Sequence, residues 1–234
     1  MGSEPFLAMT GAEIFGKTQL PERLAWMACH FSPYGTGLSN LPKALPAGSL
    51  LILNDRIPIH GHDPEIIAKQ LEQTVHSLGC SGLLLDFQRP DCSETDALTK
   101  QLISLLNFPV AVSEGYAQGT ECPVFLPPLP HHISLSEYIA PWQGREIWLE
   151  AALDGEVITL TENGSVITPL SPAEVPEKGQ MEEALHCHYH VTLKDNAAEF
   201  TLWRTREDLA SLLEEAQQLG IFTSVGLFQE FFKQ

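Results

Sequence analysis

Up to about residue 150 the chain alternates short apolar runs with polar connectors; the runs cover residues 24–31, 50–54, 82–87, 109–113, 124–126 and 146–149. Continuous apolar stretches of this length, bounded by Gly and Pro, suit strands of a parallel sheet buried on both faces. Two of the connectors carry helix signals. Asp63 precedes Pro64 as a cap, and Ile67, Leu71, Val75 and Leu78 form a stripe that stops at Gly79. Ser93 with Asp96 reads as a capping box ahead of Leu98, Leu102 and Leu105. Beyond residue 150 the pattern turns antiparallel. Asp154-Gly155 and Glu162-Asn163-Gly164 read as hairpin turns beside the β-rich runs 156–160 and 165–168, and Lys194-Asp195-Asn196 joins runs 185–193 and 199–204. Thr205 then caps a helix bearing Leu209, Leu212, Leu213, Ala216 and Leu219, which Gly220 ends before a last strand over 223–228. Residues 170–183, rich in Pro and Glu, read as a solvated loop, and residues 1–23 give mixed signals.

One run stands apart. In Gly82-Leu83-Leu84-Leu85-Asp86-Phe87-Gln88-Arg89-Pro90, the two-residue period of a strand puts Gly82, Leu84, Asp86 and Gln88 on one side, with Gln88 outermost. Polar groups that end an inward row of a barrel strand stand where a catalytic acid is expected. An amide there can neither give a proton to a leaving group nor take one from water.

Composition narrows the partners. The chain has 234 residues, with 13 Lys+Arg against 30 Asp+Glu and a formal charge of -17, which repels phosphate backbones and anionic membranes. The length suits two small domains or a single α/β barrel, the barrel taking residues 1–234 and holding an antiparallel insertion over about 151–204. Five scattered cysteines lack the C-x-x-C spacing of a structural metal site and favour a reducing compartment. With no apolar leader and no long apolar segment, the expectation is a cytoplasmic protein that binds neither nucleic acid nor membrane.

The order of elements resembles the family-18 glycoside hydrolases, the chitinase-like (β/α)8 barrels. Residues 80–88 are similar to that family's fourth strand, whose Asp-Gly-x-Asp-x-Asp-x-Glu pattern supplies the acid; here Gly82 and Asp86 remain, and Gln88 takes the place of the Glu. Phe200-Thr201-Leu202-Trp203, the helix to Gly220 and Val225-Gly226-Leu227-Phe228 are similar to its closing module. The resemblance implies a compact, partly irregular TIM barrel that binds an oligosaccharide or small molecule without a cofactor. It also implies that Asp86 keeps an orienting part while the acid at residue 88 is lost, so that hydrolysis is weak or absent. The blander alternative is that Asp86 and Gln88 bond to each other and merely close the top of the barrel.

Other groups at strand ends bear on the same mouth. Asp55 and Glu114 are the replacement carboxylates for an active hydrolase, with an ion pair, from Asp55 to Arg56 or across a loop and similarly for Glu114, as the plainer explanation. His30, Tyr34, Asn54, Tyr116 and Glu150 are placed to meet a ligand, and Trp148, Trp203 and Phe228 either stack on sugar rings or fill the core. A rival reading takes His186, His188 and His190 as ligands on one strand face of a metal-dependent hydrolase, and another takes the chain as a protein-binding scaffold. No phosphate-binding glycine loop and no Gly-x-Ser-x-Gly elbow occurs.

Overall fold

A computed structural model describes residues 4–15, 17–89, 92–194 and 196–232, together with all but the side chain of residue 172. Pro90 and Asp195, which bound the Gly82 run and the second hairpin, lie outside the described residues.

Eight parallel strands close into a barrel: β1 (Phe6–Met9), β2 (Leu24–Phe31), β4 (Leu50–Asn54), β5 (Gly82–Asp86), β6 (Val110–Ser113), β7 (Val124–Leu126), β8 (Ile147–Glu150) and β14 (Thr223–Leu227). Closure comes from β1, which pairs with β14 on one side and β2 on the other. The two-residue β3 (Leu38–Ser39) lies antiparallel on β2. The five strands β9 (Gly155–Thr161), β10 (Gly164–Pro169), β11 (Gln180–Glu182), β12 (Cys187–Lys194) and β13 (Ala197–Trp203) form a separate antiparallel sheet in the order β10-β9-β13-β12-β11.

Strand alternation sorts the side chains into two layers. Ala8, Ala25, Leu50, Ile52, Leu84, Ala111, Phe125, Trp148 and Val225 fill the inside of the barrel. Leu51, Leu53, Leu83 and Leu85 point outward and pack on Ile67, Leu71 and Val75 of α2 (Pro64–Leu78). That helix forms where its signals place it: Asp63 Oδ1 accepts from the amides of Glu65 at 2.9 Å and Ile66 at 3.4 Å, and Gly79 ends it with φ of 62°. On the far side Leu209, Leu212 and Ala216 of α5 (Arg206–Gln218) cover Leu126, Ile147 and Leu149. The remaining long helix is α3 (Ser93–Leu105); α1 (Gly11–Ile14), α4 (Leu135–Ile139) and α6 (Phe228–Phe232) are a turn or so each, so the helical coat is irregular.

Several local expectations are corrected. Strand β1 lies in the stretch of mixed signals. Ser93 is the first residue of α3 rather than its cap: Cys92 stands at the N-cap with no side-chain capping bond, and Asp96 pairs with Lys100 at 2.7 Å one turn on. Asp154-Gly155 makes no hairpin; Gly155 opens β9 after the chain leaves the barrel. Part of the 170–183 loop pairs as edge strand β11, and Phe228 starts α6 instead of ending a strand.

Candidate functional site

The C-terminal ends of the barrel strands gather the polar groups. Asp86 ends β5 and is level with Asn54 at the end of β4, while Glu150 ends β8 after the inward Trp148. Beneath the rim lies a cavity of about 70 Å³ whose polar lining is Asp86, Gln88 and Glu150, set among Ala8, Met27, Ile52, Leu84, Phe125 and Val225. It adjoins a cavity of about 290 Å³ bounded by Gln88, Arg89, Ser113, Glu114, Tyr116, Phe125, Pro127 and Glu150. Polar groups converging in a concave, partly aromatic wall are the usual make-up of a small-ligand site.

Gln88 lies two residues past the end of β5, exposed, and lines both cavities. Its Nε2 donates to Asp86 Oδ1 at 2.6 Å. Ser113 Oγ, which donates to the Leu85 carbonyl at 3.0 Å, lies 3.5 Å from the same Asp86 oxygen. Burial raises the Asp86 carboxyl above its ordinary value and the Asp55 charge adds to that, while the Gln88 hydrogen bond works the other way. Glu150 is pushed further, to about 7, by burial first and then by the charges of Asp86, Glu230 and Asp154. Sequence reasoning placed Glu150 only at the mouth and missed that it shares one small cavity with Asp86.

Asp55 is engaged by backbone amides. It is buried, and its two oxygens accept from the amides of Gln88 and Arg89, each at 3.0 Å. Arg89 Nε in turn donates to the Asp55 carbonyl at 2.9 Å, so the expected pair with Arg56 gives way to a clamp on the residues after β5. Glu114 lines the larger cavity from a short 3₁₀ turn, Glu114–Tyr116. Tyr116 lines it too: its hydroxyl donates to the Arg89 carbonyl, and its ring meets Phe87 edge-on at 6.0 Å. Arg89, Phe87 and Phe125 were not picked out from sequence, since nothing in their spacing distinguishes them from loop and core residues.

The other candidates line neither cavity. His30 is buried; Asn40 Nδ2 donates to its Nε2 at 3.0 Å, which leaves Nδ1 to donate to the Phe31 carbonyl at 2.7 Å. Asn54 donates to the Met27 carbonyl at 2.8 Å. Tyr34 is 97% exposed on its loop. Trp148 fills the barrel below the mouth and donates to Glu146 Oε1 at 2.8 Å. Phe228 stacks on Phe232 with centroids 4.6 Å apart, Lys17 covers its ring, and Trp203 stacks on His188.

The histidines are divided among separate carboxylates. His186 precedes β12 in a left-handed conformation, φ 48°, with Nε2 2.5 Å from Glu215 Oε2. His188 Nδ1 lies 2.8 Å from Asp208 Oδ2, and His190 is exposed. The expected single face of three imidazoles therefore does not form, and no cluster of three or more His, Cys, Asp or Glu among the described residues is arranged to hold a metal ion. Nor is any described helix long and apolar enough to cross a membrane.

No protein-family model matches the sequence, and no curated protein matches it. Solved structures do match in shape. The Bacillus cereus spore cortex-lytic enzyme SleL aligns over 96% of this chain and 70% of its own with a TM-score of 0.56 at 11% identity. The Bacillus megaterium SleL aligns at a TM-score of 0.41 and 12% identity over 76% of this chain, which spans 55% of that protein. A Paenibacillus barengoltzii N-acetylglucosaminidase of glycoside hydrolase family 18 aligns at 0.47 and 13% identity, over 76% of each chain. The resemblance to glycoside-hydrolase barrels read from the sequence thus holds at the level of the fold.

Proposed function

We propose that this chain is a carbohydrate-binding barrel of the glycoside-hydrolase kind, in which hydrolysis through the fourth-strand position is lost. The observation that carries the reading is the Gln88 amide, turned into the mouth of a closed barrel and bonded to Asp86 where the resemblance implies a proton-donating Glu. An amide has no proton of the right acidity to give, so general acid catalysis, worth about 10²–10⁴-fold, is unavailable at that place. The lining supports a sugar: Asp86, Ser113 and Glu114 offer hydroxyl partners, and Phe125 and Tyr116 offer apolar walls for ring faces. The barrel is the fold shared with the Bacillus cereus spore cortex-lytic enzyme SleL.

The test is calorimetry with N-acetylglucosamine oligomers of two to six units. Saturable binding that Asp86→Ala weakens by about tenfold or more, near 1.4 kcal/mol, upholds the reading. Uniform absence of binding overturns it.

A further inference from the structure

We infer that Glu150, three strands round the ring from Asp86, is the group that delivers a proton to a glycosidic oxygen in this barrel, doing from β8 what residue 88 cannot do from β5. The inference rests on the carbohydrate-binding reading and adds a reaction to it. Three observations converge on Glu150. Alternation along β8 sends Ile147 and Leu149 outward to the helices and Trp148 inward, so Glu150 continues the inward row at its open end. It is also the carboxyl that lines both cavities, whereas Asp86 lines the small one and Glu114 the large one. Finally, its surroundings favour the protonated form. The small cavity's wall is mostly aliphatic, and the charges acting on Glu150 from β5, the link after β8 and α6 (Asp86, Asp154 and Glu230) are all negative.

Those surroundings explain why Glu150 titrates near 7 and still carries a proton in a good share of molecules at neutral pH, as a general acid must. In the step itself, the Glu150 proton passes to the bridging oxygen as the bond between that oxygen and the anomeric carbon breaks, the bond pair staying on oxygen. Water adds its oxygen to the anomeric carbon and loses a proton to the Asp86 carboxylate. Solvent then returns that proton to Glu150, leaving one alcohol and one reducing sugar. Gln88, donating to Asp86 Oδ1, acts as a positioning residue that holds the base.

The experiment measures release of 4-methylumbelliferone from its β-glycosides of N-acetylglucosamine and its dimer and trimer, alongside calorimetry with the unlabelled oligomers. It uses wild type, Glu150→Gln, Glu150→Asp and Glu114→Gln. The expected result is turnover in wild type that falls about 10²–10⁴-fold in Glu150→Gln while oligomer affinity is kept. The wild-type rate is also expected to decline as pH rises through about 7. Should Glu150→Gln fail to fold, that alkaline limb and its displacement in Glu150→Asp carry the test, and a flat profile overturns the inference. Binding without turnover in wild type overturns it and spares the binding reading. So does turnover that survives Glu150→Gln or is lost only in Glu114→Gln. Absence of both binding and turnover overturns the two together.

Discussion

The side-chain amide of Gln88 donates to Asp86 Oδ1 at 2.6 Å, two residues back at the end of β5. The bond settles which way residue 88 faces and gives Asp86 a neutral partner. Restoring a carboxyl group by Gln88→Glu replaces this donor with a second acid beside a half-buried one. Two such groups cannot both ionise without mutual cost, so one is held protonated. Placed in the Glu150→Gln background, Gln88→Glu is therefore expected to raise the turnover of the fluorogenic N-acetylglucosamine glycosides by about 10²-fold or more over Glu150→Gln alone. Activity unchanged in a folded, oligomer-binding variant would remove residue 88 from the proton-delivery position.

Asp55 is expected to matter for architecture. Its oxygens satisfy the amides of Gln88 and Arg89, which are otherwise left unpaired beside the barrel. Hydrogen bonds to a charged acceptor contribute about 1.5–3 kcal/mol each. Asp55→Ala should lower stability to chemical denaturation by at least about 3 kcal/mol and weaken oligomer binding through the loosened strand end. Asp55→Asn, keeping one acceptor oxygen, should lose roughly half as much. Equal, small losses in both would mean that the clamp is dispensable.

The fold was legible because its strands are short apolar runs between Gly and Pro; residues 24–31, 50–54 and 124–126 are strands over those same bounds. The inward facing of Asp86 was legible too, because a two-residue period leaves no other choice once Leu84 is inside. Depth along a strand was not. Trp148 and Glu150 occupy the same face of β8, but only ring closure puts the tryptophan in the packed interior and the glutamate at the rim. The Asp86–Glu150 relation spans two distant parts of the chain and leaves no mark in either. Likewise, the alternation of His186, His188 and His190 presumed a strand over all three, and the left-handed turn at His186 breaks it.

Gly82 is expected to tolerate no side chain. A Cβ there would stand 2.9 Å from the Pro109 carbonyl, a backbone atom of the neighbouring strand connection that cannot swing aside. Gly82→Ala should therefore cost about 1–3 kcal/mol by pushing β5 and β6 apart at the barrel's lower end, read as a fall in the thermal midpoint. A midpoint equal to wild type would show that β5 has room the packing does not suggest.

Two buried groups should shape the pH dependence of stability with opposite signs. Glu150 goes from an ordinary 4.5 up to about 7 on folding. Its contribution is full below 4.5 and is lost as pH rises through 7, amounting to at most about 3 kcal/mol. His131 is driven from 6.5 down to about 4, by burial first and then by the Arg204 charge, with Glu156 opposing. Its contribution is full above 6.5 and is lost as pH falls through 4. Wild type should thus be most stable in mildly acidic solution, between the two losses. Thermal melts from pH 4 to 8.5 should show Glu150→Gln gaining on wild type as pH rises from about 4.5 to 7 and holding a constant lead above that, and His131→Gln gaining on it as pH falls from 6.5 towards 4. If the Glu150→Gln curve instead runs parallel to wild type from about pH 4.5 to 7, Glu150 is not the group whose ionisation strains the mouth, and the case for it as a proton donor weakens with it.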